Sequence, residues 1–486
     1  MDSSRHERLL ALDRAHVWHP FTQMAVWPSD DPLIIERAEG NELVDDLGHR
    51  YLDGISSLWC NVHGHRKQEI DDAVRAQLDR VAHSTLLGLA SVPSIELAEA
   101  LVRVAPEGLT RVFYSDSGST AVEVALKMAY QYWQQRGRPE KTRFAALAEA
   151  YHGDTVGSVS VGGMELFHGI FRGLLFDVER LPSPSPYHWT GGGDPLAGAL
   201  RAAERLLEEK GSTLAAVVME PLVQGAGGMW MHPHGYLRGM AELCQKYDVL
   251  LICDEVATGF GRTGTLFAVE QEDVRPDFLC VAKGLSGGYL PLAATLTIER
   301  VHEAFLGDFA SARTFFHGHT FTGNPLACAA ALASLRLFET EHVLERVRRT
   351  SEALRPKLAA IAELEHVGDV RQRGLMVGIE LVRDRRTKEP YGYAERIGHR
   401  VCLALRKRGI LLRPLGPVVV MMPPLSLTEA EAVRIGDAVR EAIVEQARRG
   451  LRGDLAAEAK RLSADRQDRA EKARVARLME SLRAAG

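Results

Sequence analysis

From about residue 95 onward, short apolar runs alternate with stretches of helical periodicity. Val112-Phe113-Tyr114, Ala215 to Met219, Val249 to Cys253 and Phe278 to Val281 read as strands, the last two as strands buried on both faces. Leu237 to Tyr247 is an example of the helical spacing between them. This alternation predicts an α/β fold with a mostly parallel, doubly wound sheet. Residues 1–60 read differently, as an irregular arm broken at Trp18-His19-Pro20-Phe21 and followed by strands at Leu33 to Glu36 and Glu42 to Asp45. After about residue 335 a long helical stretch leads to a smaller α+β segment, with strands at Gly374 to Glu380 and Val418 to Met422. The expected division is an arm and part of a small domain over 1–65, a large domain over 66–335, and the C-terminal part of the small domain over 336–445. Residues 446–486 form a tail of mixed arginine, glutamate, aspartate and alanine, either helical or disordered.

Composition narrows the class without identifying it. Hydrophobic residues make up 46% of the 486 and charged residues 25%, as in ordinary globular proteins. A net charge of −5 gives no electrostatic case for nucleic acid or an acidic membrane. Six cysteines are scattered with no C-x-x-C pair, which fits buried thiols in a reducing compartment. The first residues lack an apolar signal region and no stretch is long enough to span a bilayer, so the expectation is a cytoplasmic protein.

The chemistry sits at the ends of the apolar runs. Val249 to Cys253 ends in Asp254, and Phe278 to Ala282 ends in Lys283. In open parallel sheets, ligands bind beyond such strand ends. A carboxylate and an amine there suit pyridoxal phosphate (PLP), or they form a plain buried ion pair. Ser115 to Thr120 follows a strand and opens a helix, so Gly118, Ser119 and Thr120 offer either a phosphate site or an ordinary helix cap. Tyr151 is a flat side chain that can stack on a cofactor ring or cap the core from a loop. Arg262, in Gly259 to Gly264, presents a guanidinium to a carboxylate or belongs to a plain turn. His317 and His319 lack nearby acidic or sulfur partners, so no metal site is expected, and a phosphate contact from Thr320 fits that loop better. Arg413 follows an apolar run and can pair with a carboxylate or lie on the surface.

Over residues 15–440 these segments resemble the class III PLP-dependent aminotransferases of fold type I. The resemblance is carried by Trp18 to Met24, Asp53 to Trp59, Asp116 to Ser119, Tyr151 to Thr155 and His317 to Phe321, together with the Asp254 and Lys283 segments. It implies the type I large domain, plus a smaller α+β domain built from both chain ends. It also implies PLP as cofactor, with Lys283 as the Schiff-base lysine and Asp254 as the partner of the pyridine nitrogen. Gly118 and Ser119 then hold the phosphate, with Thr320 doing so across a homodimer interface and His319 beside it. Tyr151 packs at cofactor and substrate, Trp59 and Gly318 line the substrate site with Phe21, and Arg413 receives a substrate carboxylate. Within the family the resemblance is to the branch that aminates 8-amino-7-oxononanoate (KAPA) to 7,8-diaminononanoate (DAPA) in biotin synthesis. Branch members with S-adenosylmethionine as donor carry paired tryptophans and two pocket tyrosines where this chain has Leu58-Trp59, Phe21 and Val420. That arrangement is similar to a subgroup in which lysine is the donor. The alternative within the family is an ω-amino acid:pyruvate aminotransferase.

Overall fold

An apolar run with no polar face is stable as a strand only when neighbours pair both its edges and helices cover both its faces. The computed structural model of the chain describes residues 3–464 and 469–484. Its main sheet has seven strands, in the order Leu109–Ser115, Ala293–Ile298, Phe278–Val281, Leu250–Asp254, Leu214–Met219, Arg143–Leu147 and Val178–Leu181. Ala293–Ile298 is antiparallel to both neighbours, and the other six point the same way. The three central strands, Leu214–Met219, Leu250–Asp254 and Phe278–Val281, are buried at every position. Alternate residues serve opposite faces: Val218, Ile252 and Cys280 pack with the Gly118–Gln135 helix, while Met219, Cys253 and Leu279 pack with Leu237 and Met240. Register sets Cys253 beside Met219 and Asp254 beside Cys280, so the residues that follow these strands emerge along one edge.

The chain ends share a second core. Strands Ile35–Glu39, Glu42–Asp45 and Arg50–Asp53 form a sheet that Ile410–Leu411 joins in parallel. A further sheet contains Val367–Arg373, Met376–Asp384, Val418–Met421 and Arg413–Leu415, with Glu389–Pro390 on Met376–Asp384. Leu52 from the N-terminal part packs there with Ile379, Val401, Val419 and Ile435.

The structure differs from the sequence reading at several elements. The arm begins with a helix, Ser3–His16, whose apolar residues make no clear stripe. It is anchored through Arg5 to Glu36 and His6 to Asp46 rather than through a hydrophobic face. The Ala293–Ile298 strand escaped notice because Ala-Ala-Thr-Leu-Thr-Ile mixes small and polar residues. Val420 is fully buried in the interior of its sheet, paired opposite Arg413 and Gly378, and so is part of the core rather than a substrate-pocket wall. Of the charged tail, the helices Glu429–Ala464 and Arg469–Ala484 are described, while 465–468 and 485–486 lie outside the described residues. The six cysteines are free thiols, with only Cys60 partly exposed. Among the described residues no helix is long and apolar enough to cross a membrane.

Arg371 clamps the smaller sheet onto the larger core. Its Nε donates to the carbonyls of Gly228 and Met229 at 3.0 and 2.9 Å, and Nη1 reaches Asp369 and Glu380 at 2.8 Å each. Burial raises the Glu380 carboxyl, but His188 and Arg371 outweigh it and leave the pKa below its usual 4.5. Stability from Glu380 is therefore full above pH 4.5 and lost as pH falls through the lower folded value. Arg371→Met strands a buried carboxylate and is expected to cost about 3 kcal/mol by urea unfolding at neutral pH. The same variant should show a smaller loss of stability on acidification than the wild type.

Candidate active site

A cavity of about 420 Å³ opens where the central strands end, and Asp254 and Lys283 both line it. Asp254 closes its strand and is 4% exposed. His152 Nδ1 donates to its Oδ2 at 2.7 Å, and the Val256 N–H donates to Oδ1 at 3.0 Å. Those two bonds fix the carboxylate plane and offset the cost of burying it. Lys283 begins a short turn after its strand with φ of 41°, a left-handed conformation disfavoured for a side chain of this size. Desolvation lowers the pKa of its amine, and the charges of Asp254 and Glu220 partly oppose this. No ion pair joins Asp254 to Lys283 among the described residues, so the two groups present separately to the cavity.

The anion end of the cavity is a helix N-terminus. Ser117 caps the 18-residue Gly118–Gln135 helix, its Oγ accepting the Thr120 N–H while Thr120 Oγ1 accepts the Ser117 N–H. Thr120 is therefore a capping residue, whereas Gly118 and Ser119 carry first-turn N–H groups with no intrahelical partner and line the cavity. Glycine is required twice here. A Cβ on Gly118 would stand 2.5 Å from Val256 Cγ1, and one on Gly153 would stand 1.9 Å from Ser119 Oγ. Gly153 has φ of +116°, and the chain turns there so that the Asp154 N–H reaches Ser119 Oγ at 3.1 Å.

Trp59 faces Lys283 from a strained turn. Ser56, Ser57 and Trp59 all have positive φ, and Asp53 holds them by accepting the N–H groups of Ile55 and Ser57. The Lys283 amine lies 5.2 Å from the Trp59 ring centroid, and Trp59 Nε1 is buried without a partner. His152 Nε2 is a second orphaned buried nitrogen at the cavity. An anion site at one end, a carboxylate on the floor, an amine opposite and two unpaired donors or acceptors fit PLP. Gly118 and Ser119 would take the phosphate, Asp254 the ring nitrogen and Lys283 the aldehyde carbon.

Tyr151 lines the cavity, with its hydroxyl donating to Asp154 at 2.7 Å and its ring stacked near His168. Phe21 does not line the cavity itself. It packs edge-on to Phe167, which in turn meets Tyr151, so an aromatic row leads from the arm to the site. Arg413 has no ion-pair partner among the described residues, and Tyr151 lies near enough to affect its charge. Gly318 and Thr320 lie outside the cavity of a single copy, on an exposed loop. His319 is tied to that rim by a 2.7 Å bond to Asp116, a cavity residue, and His317 to Lys127 at 2.9 Å.

Arg262 corrects the sequence reading. It is 1% exposed, and its guanidinium donates to the carbonyls of Asn61 and Pro423, joining the N-terminal and C-terminal segments to the large domain. A guanidinium enclosed in that way is a structural clip and does not meet a substrate carboxylate. Among the cavity residues that were missed, His152 and Glu220 carry titratable groups. Glu220 directly follows the Leu214–Met219 strand, so the rule that singled out Asp254 and Lys283 also applied to it. It is 4% exposed, accepts the Gly225 and Tyr151 N–H groups, and burial pushes its carboxyl up to about 7.

Comparisons with known proteins agree with this geometry. The family Aminotransferase class-III matches residues 24–443. The chain is 58% identical over 458 residues to the adenosylmethionine-8-amino-7-oxononanoate aminotransferase of Nitratidesulfovibrio vulgaris, covering 93% of this chain and 84% of that relative. The enzyme of the same name from Geobacter sulfurreducens is 52% identical over 435 residues, covering 89% and 96%. Among solved structures, its namesake from Methanocaldococcus jannaschii has a TM-score of 0.87 at 48% identity, covering 90% of this chain and 99% of that one. An amine transaminase from an uncultivated Pseudomonas species, in its PLP-bound form, has a TM-score of 0.85 at 38% identity, covering 88% and 98%.

The Gly153 turn packs directly against Ser119 at the anion end of the cavity, which makes it a probe of that end. Gly153→Ala is expected to displace Ser119 and weaken PLP binding at least about tenfold, a loss of one or two hydrogen bonds to a charged group. Fluorescence titration with PLP measures this. Unchanged affinity would remove the helix terminus from the phosphate site.

Proposed function

The chain belongs to the class-III aminotransferases, and from that premise we propose that it converts KAPA to DAPA in biotin synthesis with PLP as cofactor. The observation that supports this reading most is the single cavity shared by Asp254, Lys283 and the Gly118–Gln135 helix terminus. Arg413, outside the cavity lining but near Tyr151 and without an ion-pair partner among the described residues, is the group offered to a distant carboxylate. The names of relatives at 58% and 52% identity supply the substrate.

When bound, PLP supplies an electron sink for the charge left as a proton departs from the carbon bearing nitrogen. The protein groups do the rest. Asp254, oriented by His152 and the Val256 N–H, holds the ring nitrogen protonated. The free N–H groups of Gly118 and Ser119 anchor the phosphate. Lys283 carries a lowered pKa from burial, so more of its amine is neutral near pH 7 and able to accept and return the substrate proton. Arg413 pairs with the KAPA carboxylate and, with the walls of Trp59 and Tyr151, orients the ketone toward Lys283. Donor and acceptor enter the same cavity in turn, which is a ping-pong scheme.

In this reading S-adenosylmethionine is the amino donor, after which the relatives are named. Phe21 and Leu58 favour lysine as the second donor to test, and pyruvate serves as the acceptor that separates an ω-amino acid aminotransferase.

The working unit in this reading is a cytoplasmic homodimer. Ile170 and Leu174 on one segment, and Phe309, Phe316 and Phe321 on another, are largely exposed in a single copy. A second copy covering them would bring its Thr320 to the phosphate, and the size of the protein in solution tests this.

The PLP-loaded enzyme is expected to lose its visible absorption with S-adenosylmethionine or lysine and then to aminate KAPA. Inaction of both donors overturns the reading, and efficient amination of pyruvate but not KAPA favours the alternative. Lys283→Ala should lower turnover by at least about 10³-fold while PLP still binds noncovalently, as followed by single-turnover absorbance.

A further inference from the structure

Glu220 is a buried carboxyl at the cavity that neither holds the cofactor nor moves a proton in the scheme above. Its Oε1 accepts the Gly225 N–H at 2.8 Å and its Oε2 the Tyr151 N–H at 3.2 Å. A carboxylate offers about four lone-pair positions, so each oxygen keeps one free. Among the described residues, no lysine or arginine is ion-paired to it. Two backbone N–H groups need only a neutral acceptor, and a glutamine would serve them. A carboxylate in that position carries a burial cost that a cation would offset.

The surroundings say where that cation would lie. A Cβ on Gly225 would stand 3.4 Å from the Trp59 ring and 3.7 Å from Glu220 Oε1, so the Trp59 ring edge and the Glu220 carboxylate lie on either side of the same short stretch of chain. The Lys283 amine is 5.2 Å from the centroid of the same ring. Glu220 therefore lines the cavity on the side where Trp59 approaches the Lys283 amine, close enough for its charge to act on that amine and on Asp254.

We propose that Glu220 receives the ammonium group on the carbon next to the reacting carbon, and so selects vicinal amino ketones over simple ketones. The inference rests on the KAPA reading, because that substrate carries its amine on C8 beside the C7 ketone. Arg413 then takes the distant carboxylate and Glu220 the near amine, and the ketone is fixed between two charge-assisted contacts. Burial, with Asp254 adding to it, pushes the free carboxyl up to about 7 against the opposing effect of His152 and the two N–H groups. An arriving ammonium reverses that push, so substrate binding and ionisation of Glu220 reinforce each other.

Two probes without a ketone, 8-aminononanoate and nonanoate, separate binding from turnover. Calorimetry on the enzyme carrying the amine form of its cofactor should show 8-aminononanoate binding at least about tenfold tighter than nonanoate. In Glu220→Gln the ratio should fall to about one. Glu220→Asp, whose charge sits one methylene further back, should keep part of the preference and replaces the Gln variant if that variant fails to fold. Equal wild-type affinities, or a ratio preserved in Glu220→Gln, overturn the proposal. KAPA turnover measured alongside is a separate readout. An amine preference that depends on Glu220, without KAPA amination, leaves amine recognition standing and removes the function proposed above.

Discussion

Three buried strands side by side each deliver an ionisable residue to one edge of the sheet: Glu220 after Met219, Asp254 after Cys253 and Lys283 after Ala282. At such an edge water is scarce, and every charge must find a partner or shift its protonation. Asp254 finds partners in His152 and the Val256 N–H. Glu220 and Lys283 shift instead, the carboxyl upward and the amine downward, both chiefly through burial. The same constraint that makes the edge costly thus moves the carboxyl and the amine toward each other in acidity. Register carries this down to single residues, since a slip of one position would turn these side chains into the opposite face.

Strain and clamps hold the edge in place. Lys283 and Trp59 face each other from left-handed backbone positions, which persist only where surrounding bonds over-determine them. Asp53 supplies those bonds on the Trp59 side through two N–H groups and His65. Arg262 ties the next residues along the chain, through Asn61, to Pro423. Arg371 does the same for the Gly228 and Met229 backbone, close to the loop on which Gly225 sits. Both arginines give buried guanidinium N–H groups to carbonyl oxygens, Arg371 to two carboxylates as well, and neither lines the cavity.

The sheet was legible in the sequence because fully buried central strands leave uninterrupted apolar runs. The positions of Asp254 and Lys283 were legible for a related reason, since each follows a run directly, and those of Gly118 and Ser119 because they open a helix just after one. Elements held by specific bonds left no such trace. Ser3–His16 is docked by ion pairs, and Ala293–Ile298 is a strand of small and polar residues given shape by its neighbours. Arg262 looked like a ligand because a loop arginine between glycines has no visible partner in sequence, whereas its acceptors lie 201 and 161 residues away. Val420 was placed by resemblance at a pocket position, and the structure instead buries every residue of its short strand. Glu220 was readable by the strand-end rule, but a glutamate before Pro221 looks like an ordinary turn.

What the sheet edge determines and what its surroundings determine are separable. Glu220, Asp254 and Lys283 arise from one rigid element, and they set the class of chemistry. The groups that would meet the rest of a substrate come from elsewhere: Trp59 and Phe21 from the N-terminal part, and Arg413 from the smaller sheet. Walls drawn from several elements can change with little disturbance to the strands, whereas a change at the edge disturbs charges that are mutually compensated. Structures at 38% identity that share this fold and carry other transaminase names are what such a division allows. Glu220 is the point where the two parts meet, a residue of the rigid edge whose free lone pairs face the variable space. A charge in that position would couple recognition to its own ionisation, which a neutral wall residue cannot do.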